Sequence, residues 1–462
     1  TNDNTDIGLA ANGVGDIPSF TVTNDTTSAL IATIEVTPTY ENNGVICSGN
    51  PETFTITVNP GAQVEAVTSQ VLCVGESTDE IVFATTNTDG ITTYEWTNDN
   101  TDIGLAANGV GDIPSFTVTN DTTSALIATI EVTPTYENNG VICSGDPINF
   151  TITVNPGAQV EAVTSQVLCV GESTDEVVFT TTNTDGTTTY EWTNDNVDIG
   201  LAANGVGDIP SFVVTGSSLA SETATIEVTP TYTNNGVTCT GNPETFTITV
   251  NPGAQVEAVD SQVLCIGEST DEIVFDTTNT DGTTTYEWTN DNTDIGLAAN
   301  GVGDIPSFTV TNDTTSALIA TIEVTPTYEN NGIICSGNPE TFTITVNPGA
   351  QVEAVDSQVL CVGESTDEIV FDTTNTDGTT TYEWTNDNTD IGLASNGVGD
   401  IPSFTVTNDT TSALIATIEV TPTYENNGVI CSGDPINFTI TVNPGAQVEA
   451  VTSQVLCVGE ST

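Results

Sequence analysis

The sequence repeats itself every 96 residues. The string TNDN-DIGLA recurs at Thr1, Thr97, Thr193, Thr289 and Thr385, and residues 1–96 differ from 97–192 at six positions only. A period near 100 residues is too long for a solenoid repeat and matches one small domain. The 462 residues are therefore predicted to form a string of nearly identical domains, about 4.8 copies in all.

Within one repeat, the pattern is that of short β-strands. Phe54, Ile56 and Val58 alternate with threonines, as in a half-buried strand. Residues 79–83 form another short apolar run, and Asn43-Gly44 predicts a hairpin turn. About seven short strands in 96 residues, with no helical period, predict an all-β fold built as a two-sheet β-sandwich.

We place the domain boundaries at the Asn-Pro-Gly linker that follows each TFTITV-type strand, as at 59–61. The predicted complete domains are 61–156, 157–252, 253–348 and 349–444. Residues 1–60 form a repeat without its N-terminal part, and residues 445–462 form the start of a further repeat. Because both flanking pieces are partial, we expect this stretch to belong to a longer array.

All charged side chains of the sequence are acidic. The chain contains 64 Asp and Glu residues but no Lys, Arg or His, which gives a formal net charge of −64. Schiff-base lysines, arginine clamps and imidazole bases are therefore excluded. A surface this negative repels nucleic acid and anionic membranes, and no apolar run approaches the roughly 20 residues of a membrane span. We expect neither nucleic-acid binding nor direct membrane insertion.

Catalysis by paired carboxylates is also improbable. A glycosidase needs two carboxylates at a fixed separation beside a cleft. Pairs such as Asp175-Glu176 exist, but they recur in every small repeat, where there is little room for a cleft. We predict that the chain is not an enzyme. The tryptophan of each Tyr-Glu-Trp triplet is predicted to be a core residue, with a sugar-stacking platform as the alternative.

Ten cysteines fall two per repeat, with spacings that alternate between 26 and 70 residues. Such regular pairs favour disulfides, because two thiols without histidine make a poor metal site. If each pair closes one domain, the bonded pairs are Cys73–Cys143, Cys169–Cys239, Cys265–Cys335 and Cys361–Cys431, and Cys47 and Cys457 are unpaired. The rival pairing joins Cys47 to Cys73 across the linker. We favour the pairing within domains.

The acidic residues have two interpretations. The first is a solvated surface that keeps a long fibre soluble. The second is calcium binding through oxygen ligands, for which Asp99, Asp102 and Asp185 are weak candidates. No stretch matches an EF-hand loop or an RTX nonapeptide. No other cofactor is expected.

The run TTYEWTNDNTDIGLAANGVGDIPSFT, together with the Cys-Ser-Gly and TFTITVNP ending, resembles the PKD-like, immunoglobulin-like repeats of large secreted Bacteroidota surface proteins. The resemblance covers every complete repeat, although the WDFGDG motif of better-known PKD domains is absent. It implies an Ig-like or PKD-like sandwich and a secreted, cell-surface location. Such arrays resemble the stalks of flavobacterial adhesins, including gliding adhesins exported by the type IX system.

The resemblance also implies modification and partners. Asp-Thr pairs resemble Bacteroidota O-glycosylation acceptors, which makes Thr26, Thr122, Thr314 and Thr410 glycosylation candidates. The expected partners are other repeats of the same chain or filament, and surface glycans. The predicted function is a structural stalk that spaces a binding region away from the cell. The alternatives are a repeated calcium- or glycan-binding module and a self-assembling fibre or sheath subunit.

Overall fold

A computed structural model describes residues 1–461. Thr462, the last residue of the predicted 445–462 segment, lies outside the described residues. The chain divides into two compact units. The first unit comprises Thr1–Gln166, Ser173–Val214 and Thr223–Thr249, and the second comprises the rest of the described chain.

The described chain contains short β-strands and single 3-10 turns. Residues 1–60 contain β1 (Leu30–Val36), β2 (Thr39–Asn42), β3 (Val45–Ser48) and β4 (Glu52–Val58). Residues 61–156 contain β5 (Gln70–Cys73), β6 (Ile91–Asn98), β7 (Asn108–Val110), β8 (Leu126–Asn138), β9 (Val141–Ser144) and β10 (Ile148–Asn155). Residues 157–252 contain β11 (Gln166–Cys169), β12 (Thr187–Asn194), β13 (Asn204–Val206), β14 (Glu222–Asn234), β15 (Val237–Thr240) and β16 (Glu244–Asn251).

The same six strands recur in the last two complete repeats. Residues 253–348 contain β17 (Gln262–Cys265), β18 (Thr283–Asn290), β19 (Asn300–Val302), β20 (Leu318–Asn330), β21 (Ile333–Ser336) and β22 (Glu340–Asn347). Residues 349–444 contain β23 (Gln358–Cys361), β24 (Thr379–Asn386), β25 (Asn396–Val398), β26 (Leu414–Asn426), β27 (Val429–Ser432) and β28 (Ile436–Asn443). The 3-10 turns are Thr5–Ile7, Thr101–Ile103, Val197–Ile199, Thr293–Ile295 and Thr389–Ile391.

In the first unit, repeat 61–156 forms one sheet with the strand order β5-β10-β8-β6-β7. The β5–β10 pair is parallel and the other pairs are antiparallel. The long strand β8 organises the sheet, because its first half pairs with β10 and its last four residues pair with β9. The β8–β9 turn is Asn139-Gly140, with φ values of 51° and 76°. Both residues are left-handed, as the predicted Asn-Gly hairpin turn requires.

The second layer of the predicted sandwich consists of extended segments rather than a regular sheet. Two isolated bridges, Ser77–Thr117 and Ile81–Ile113, hold these segments together. The prediction of a strand at 79–83 is therefore wrong for repeat 61–156, because this run makes only one bridge. The core lies between the sheet and these segments, and Phe83 belongs to it.

In the second unit, repeats 253–348 and 349–444 have the same strand order as repeat 61–156. Their cores contain the same kinds of residue at the same positions of the repeat. In the part of repeat 157–252 that belongs to the first unit, β12 pairs with β13 and β14, and β14 pairs with β15. The all-β fold and the 96-residue tandem organisation are confirmed. Among residues 1–461, no helix is long and apolar enough to cross a membrane.

Trp96 and its three counterparts are buried core residues, as predicted. A glycine on the neighbouring strand makes this possible, because a Cβ atom on Gly109 would lie only 2.2 Å from Cζ2 of Trp96. The backbone of β7 therefore packs directly on the indole ring. The buried ring is not available as a sugar-stacking platform.

We expect Gly109→Ala to destabilise repeat 61–156 by roughly 1–3 kcal/mol, because the added methyl group overpacks the core. The measurement is the free energy of unfolding in denaturant, with Trp96 fluorescence isolated by Trp→Phe changes in the other repeats. Gly61→Ala is the matched control, because the nearest atom to its added Cβ is 3.9 Å away. Equal stability of the two variants would contradict the packing argument.

Candidate functional site: the junction between repeats

Disulfides join the four complete repeats, each to the next one. In the first unit, Cys73 of β5 is bonded to Cys239 of β15, with a Cα–Cα distance of 5.5 Å. In the second unit, Cys169 is bonded to Cys335 and Cys265 is bonded to Cys431. Every bond spans 166 residues. We call β5, β11, β17 and β23 early strands, and β3, β9, β15, β21 and β27 hairpin strands.

Both predicted pairing patterns are wrong. The pairs within domains (Cys73–Cys143, Cys169–Cys239, Cys265–Cys335 and Cys361–Cys431) do not form, and neither does the rival Cys47–Cys73 bond. Instead, the early-strand cysteine of one repeat bonds to the hairpin-strand cysteine of the following repeat. Cys143 and Cys361 are free thiols, against expectation. Cys47 and Cys457 are also free, as the pairing within domains predicted.

The sheet register explains why a bond within one repeat cannot form. Cys73, at the end of β5, lies beside Asn155 at the end of β10. The preceding residue of β10, Val154, pairs with Leu126 at the start of β8. Cys143 lies opposite Tyr136, ten residues further along β8. At a rise of about 3.3 Å per residue, the two cysteines are about 33 Å apart along the sheet. A disulfide requires a Cα–Cα distance below about 7 Å.

A buried asparagine provides the second contact of the junction. Asn155 ends β10 and is fully buried. Its side-chain amide donates a hydrogen bond of 3.1 Å to the backbone carbonyl of Asn234, at the end of β14 in the next repeat. The predicted linker therefore begins with a residue that is held in the interface between repeats.

A carboxylate provides the third contact. Both oxygens of Asp185 lie 3.2 Å from the backbone N–H of Ala125 in the preceding repeat. The hydroxyl of Tyr232 donates a 2.9 Å hydrogen bond to the same carboxylate. Nearby, the backbone N–H of Thr184 donates to the carbonyl of Thr123 at 3.1 Å. Because the chain has no cationic side chain, this carboxylate accepts hydrogen bonds from a backbone N–H group and a hydroxyl instead of forming an ion pair.

The second unit contains the same contacts at its two junctions. Asn251 and Asn347 donate to the carbonyls of Asn330 and Asn426, at 2.9 and 3.0 Å. Asp281 accepts from the backbone N–H of Ser221, and Asp377 accepts from that of Ala317. The junction is therefore a recurring structure and not an accident of one sequence variant.

Residues 1–60 meet repeat 61–156 through the same polar contacts but without a disulfide. Asn59 donates to the carbonyl of Asn138 at 3.1 Å, and the Asp89 carboxylate accepts from the backbone N–H of Ala29. Residues 1–60 contain no early strand, so Cys143 has no bonding partner there. The polar contacts therefore form a junction without help from the disulfide.

The tyrosine of each junction is buried and neutral. Burial is the main cause that raises the pKa of Tyr424, and the hydrogen bond to the Asp377 carboxylate adds to it, so that this pKa reaches about 12. The hydroxyl of Tyr424 lies 2.8 Å from Oδ1 of Asp377. The pKa values of Tyr136 and Tyr232 are raised by the same two causes in the same order.

The calcium candidates accept hydrogen bonds at separate places. Asp99 accepts from the backbone N–H of Thr129 at 2.7 Å, and Asp185 belongs to the junction. The backbone of Asp102 forms part of a 3-10 turn capped by the Asn100 side chain. Among residues 1–461, no group of three or more Asp, Glu, Cys or His residues could hold a metal ion. Calcium binding stays a prediction.

The glycosylation candidates are exposed turn residues. In the 120–124 turn, the hydroxyl of Thr122 lies 2.8 Å from Oδ1 of Asn120 and 2.9 Å from the carbonyl of Ser124. Thr26, Thr314 and Thr410 have the same contacts. A glycan attached to this hydroxyl oxygen would replace its hydrogen atom. The threonine could then no longer donate the hydrogen bonds of the turn. Glycosylation stays a prediction.

The sequence does not predict the polar contacts of the junction. Its pattern places Asn155 in a linker and makes Asp185 a metal candidate, although both residues bind the neighbouring repeat. One signal was present: an Asn-Pro pair directly follows an alternating strand in every repeat. A polar residue at the end of a buried strand requires a hydrogen-bond partner.

No family model matches this chain, and no curated protein matches it. Many solved structures are similar to it at low identity, among them three cadherin-type ectodomains. The human desmocollin-1 ectodomain is 11% identical, with a TM-score of 0.27 over 76% of this chain and 74% of that one. Drosophila N-cadherin EC1-4 is 11% identical, with a TM-score of 0.27 over 82% and 99%. Mouse cadherin-23 EC22-24 is 12% identical, with a TM-score of 0.32 over 61% and 95%.

TM-scores of about 0.3 are too low to establish a shared fold over these lengths. The sheet, the core and the junction of this chain define its class directly. It is a tandem array of all-β repeat domains in which disulfides and buried polar contacts join successive repeats.

We expect alkaline pH to destabilise the fold. The pKa of Tyr424 is about 12 in the folded state and about 10 in the unfolded state. Between these values the unfolded chain loses the proton while the folded chain keeps it, so stability is constant below about pH 10 and falls as the pH rises towards 12. The measurement is the free energy of unfolding from pH 8 to 12, with free thiols alkylated.

The matched variant is Tyr424→Phe, which cannot ionise. It should lose less stability than the parent chain between pH 10 and 12, although it is less stable at pH 8 because Asp377 loses a donor. A stability that rises with pH in this range would refute the assignment of Tyr424 as a buried neutral donor.

Proposed function

We propose that the chain is a non-enzymatic section of an extracellular stalk that resists tension while it spaces a binding region away from a cell surface. The observation that carries the proposal is the disulfide between neighbouring repeats. A bond within one domain would protect that domain alone. A bond between repeats gives pulling force a covalent route that bypasses most of the folded chain.

This covalent route is short. A force applied at Cys73 passes through the disulfide to Cys239, along the backbone to Cys265, and through the next disulfide to Cys431. Only 26 of the 358 residues between 73 and 431 lie on it. Unfolding of a repeat in this region therefore adds little length as long as the disulfides are intact.

The polar contacts support the same role. The hydrogen bonds of Asn155 and Asp185 join consecutive repeats directly, so the Asn-Pro-Gly segment does not act as a free linker. Breaking the Asn155 contact would leave its buried amide without that partner, which costs about 1–3 kcal/mol. The junction therefore resists bending before any covalent bond is loaded.

An extracellular location fits the chemistry of the junction. Disulfides persist in oxidising compartments and are rare in the cytosol. The sequence resemblance to PKD-like repeats of Bacteroidota surface proteins supports a secreted adhesin stalk, exported by the type IX system and serving attachment or gliding. The proposed partners are further repeats of the same kind and, at the binding region, surface glycans.

The test is single-molecule stretching of the chain 1–462 between its termini, with and without a reductant. Removing the 26 residues of the covalent route from the 358 between Cys73 and Cys431 leaves about 332 residues. At roughly 3.3–3.6 Å per residue, we expect the reduced chain to extend about 1,100–1,200 Å further than the oxidised one.

The matched variant is Cys239→Ser, which opens the first bond but leaves the second intact. Its oxidised form should extend further than the oxidised parent, because the shortest covalent route from Cys73 to Cys431 then runs through the Cys169–Cys335 bond and contains about 166 residues instead of 26. If reduction does not change the extension of the parent chain, the disulfides do not carry force and the tension-resisting role is wrong.

A further inference from the structure

One position of the junction is serine in one repeat and alanine in the others. The backbone N–H of Ser221 donates to the carboxylate of Asp281, as the backbone N–H of Ala125 does to the aspartate of its own junction. Ala29 and Ala317 occupy the same position in their repeats. Ser221 therefore adds one hydroxyl group to a set of polar contacts that recurs at every junction.

The hydroxyl of Ser221 makes three contacts. It donates a 2.8 Å hydrogen bond to Oδ1 of Asn251 and accepts one of 2.8 Å from the side-chain amide of Asn330. It also lies 3.1 Å from the hydroxyl of Tyr328. Ser221 and Asn251 belong to one repeat, whereas Tyr328 and Asn330 lie on β20 of the next. The hydroxyl therefore connects the two repeats through fully buried Asn251 and Tyr328.

Where alanine takes the place of this serine, the asparagine oxygen has no donor. Asn155 and Asn347 are fully buried, and their Oδ1 atoms accept no hydrogen bond from any residue in 1–461. Oδ1 of Asn59, at the junction that contains Ala29, is also buried without a donor among these residues. A buried acceptor without a donor costs free energy, because its bonds to water are lost and not replaced. The alanine junctions carry this cost.

We propose that residue 221 and its counterparts set the strength of each junction, and that Ser221 makes its junction harder to open than alanine would. The serine supplies the donor that Asn251 lacks elsewhere in the array and an acceptor for Asn330. Completing a buried polar network in this way stabilises the closed interface. The inference concerns single junctions of an unloaded chain and does not rest on the tension-resisting role.

The disulfide of each junction reports on its opening. In the register of β20 and β21, Tyr328 pairs with Cys335, and both residues belong to a buried cluster against which Cys169 packs. The serine hydroxyl therefore contacts the same tyrosine that packs beside the Cys169–Cys335 bond. Because local opening exposes buried groups, a weaker junction should release its disulfide to a thiol reductant more rapidly.

The effect of the serine has to be separated from that of its neighbour. Glu222 stands where other repeats have a leucine, such as Leu126 and Leu318. Oε2 of Glu222 is buried without a partner among residues 1–461, which destabilises this repeat by itself. A ranking of the three disulfides in the parent chain would mix the two effects. Single substitutions in the full chain keep Glu222 constant and isolate the hydroxyl.

The test is the rate at which dithiothreitol reduces each disulfide of the chain 1–462. Free thiols are first blocked with a light alkylating reagent, and thiols released over time are trapped with its heavy form. Cleavage at acidic residues is needed, because trypsin has no site in this chain. The bonded hairpin cysteines Cys239, Cys335 and Cys431 lie in the different sequences VTCT, IICS and VICS. Mass spectrometry therefore assigns each rate to one junction, and Cys143, also in VICS, carries the light reagent.

Ser221→Ala should speed reduction of the Cys169–Cys335 bond roughly threefold to tenfold, because it removes a hydrogen bond and leaves Oδ1 of Asn251 without a donor. The Cys265–Cys431 bond of the next junction is the reference in the same molecule and should keep its rate.

Ala317→Ser is the reverse substitution. It should slow reduction of the Cys265–Cys431 bond by a similar factor and leave the Cys169–Cys335 bond unchanged. Ala107→Ser is the matched control, because it adds a hydroxyl at an exposed position where repeat 349–444 has Ser395. This control should change neither rate.

The denaturant concentration at the midpoint of unfolding is the second measurement. It should fall in Ser221→Ala, rise in Ala317→Ser and stay constant in Ala107→Ser. Together with the reduction rates, it shows whether a change in stability is located at the junction that carries the substitution.

Three outcomes would overturn the proposal. Unchanged reduction rates in both test variants would mean that solvent replaces the hydroxyl or that the effect lies outside the junction, even if the midpoint moves. Equal acceleration of all three bonds in Ser221→Ala would show a general loss of stability instead of a weaker junction. Slower reduction in Ser221→Ala would reverse the assigned role. The stretching experiment measures extension between intact disulfides, so its result is independent of all three.

Discussion

The disulfide between neighbouring repeats is the constraint on which the rest of this architecture depends. Small domains bury little surface and are only marginally stable alone. Here Cys73 of one repeat is held to Cys239 of the next, so neither repeat can unfold without constraint from its neighbour. Because Cys169 lies within the stretch that the first bond closes and is bonded onward to Cys335, the closed loops overlap along the sequence. Stability therefore belongs to the array rather than to single domains.

The absence of cations determines how the acidic groups are used. Without Lys, Arg or His, no side-chain ion pair can form, and every carboxylate needs another donor or water. The structure uses backbone N–H groups for several of them, as at Asp185 with Ala125 and at Asp99 with Thr129. Hydrogen bonds to an ionised acceptor are the stronger kind. Hydrogen bonds from backbone N–H groups to carboxylates therefore hold loops and junctions of this chain in place, where other proteins would use ion pairs.

The all-β fold was predictable from the sequence because its signals are local. The alternation in β4 and the Asn-Gly turns lie within a few residues of one another, and the repeat shows that they recur. The bonding partner of Cys73 was not predictable in this way. Near-identical repeats place an equivalent hairpin cysteine at every period, so spacing alone cannot distinguish Cys143 from Cys239. The register along β8 makes the distinction, because it separates Cys73 from Cys143 by about 33 Å.

The near-identity of the repeats also constrains the order of folding events. An unfolded chain would let any early-strand cysteine react with any hairpin-strand cysteine, because their local sequences are nearly the same. Only the folded junction brings β5 against β15 and so selects Cys239 as the partner of Cys73. The contact between residues 1–60 and repeat 61–156 forms its polar bonds without any disulfide. The polar contacts can therefore assemble first, and oxidation then makes the correct neighbour permanent.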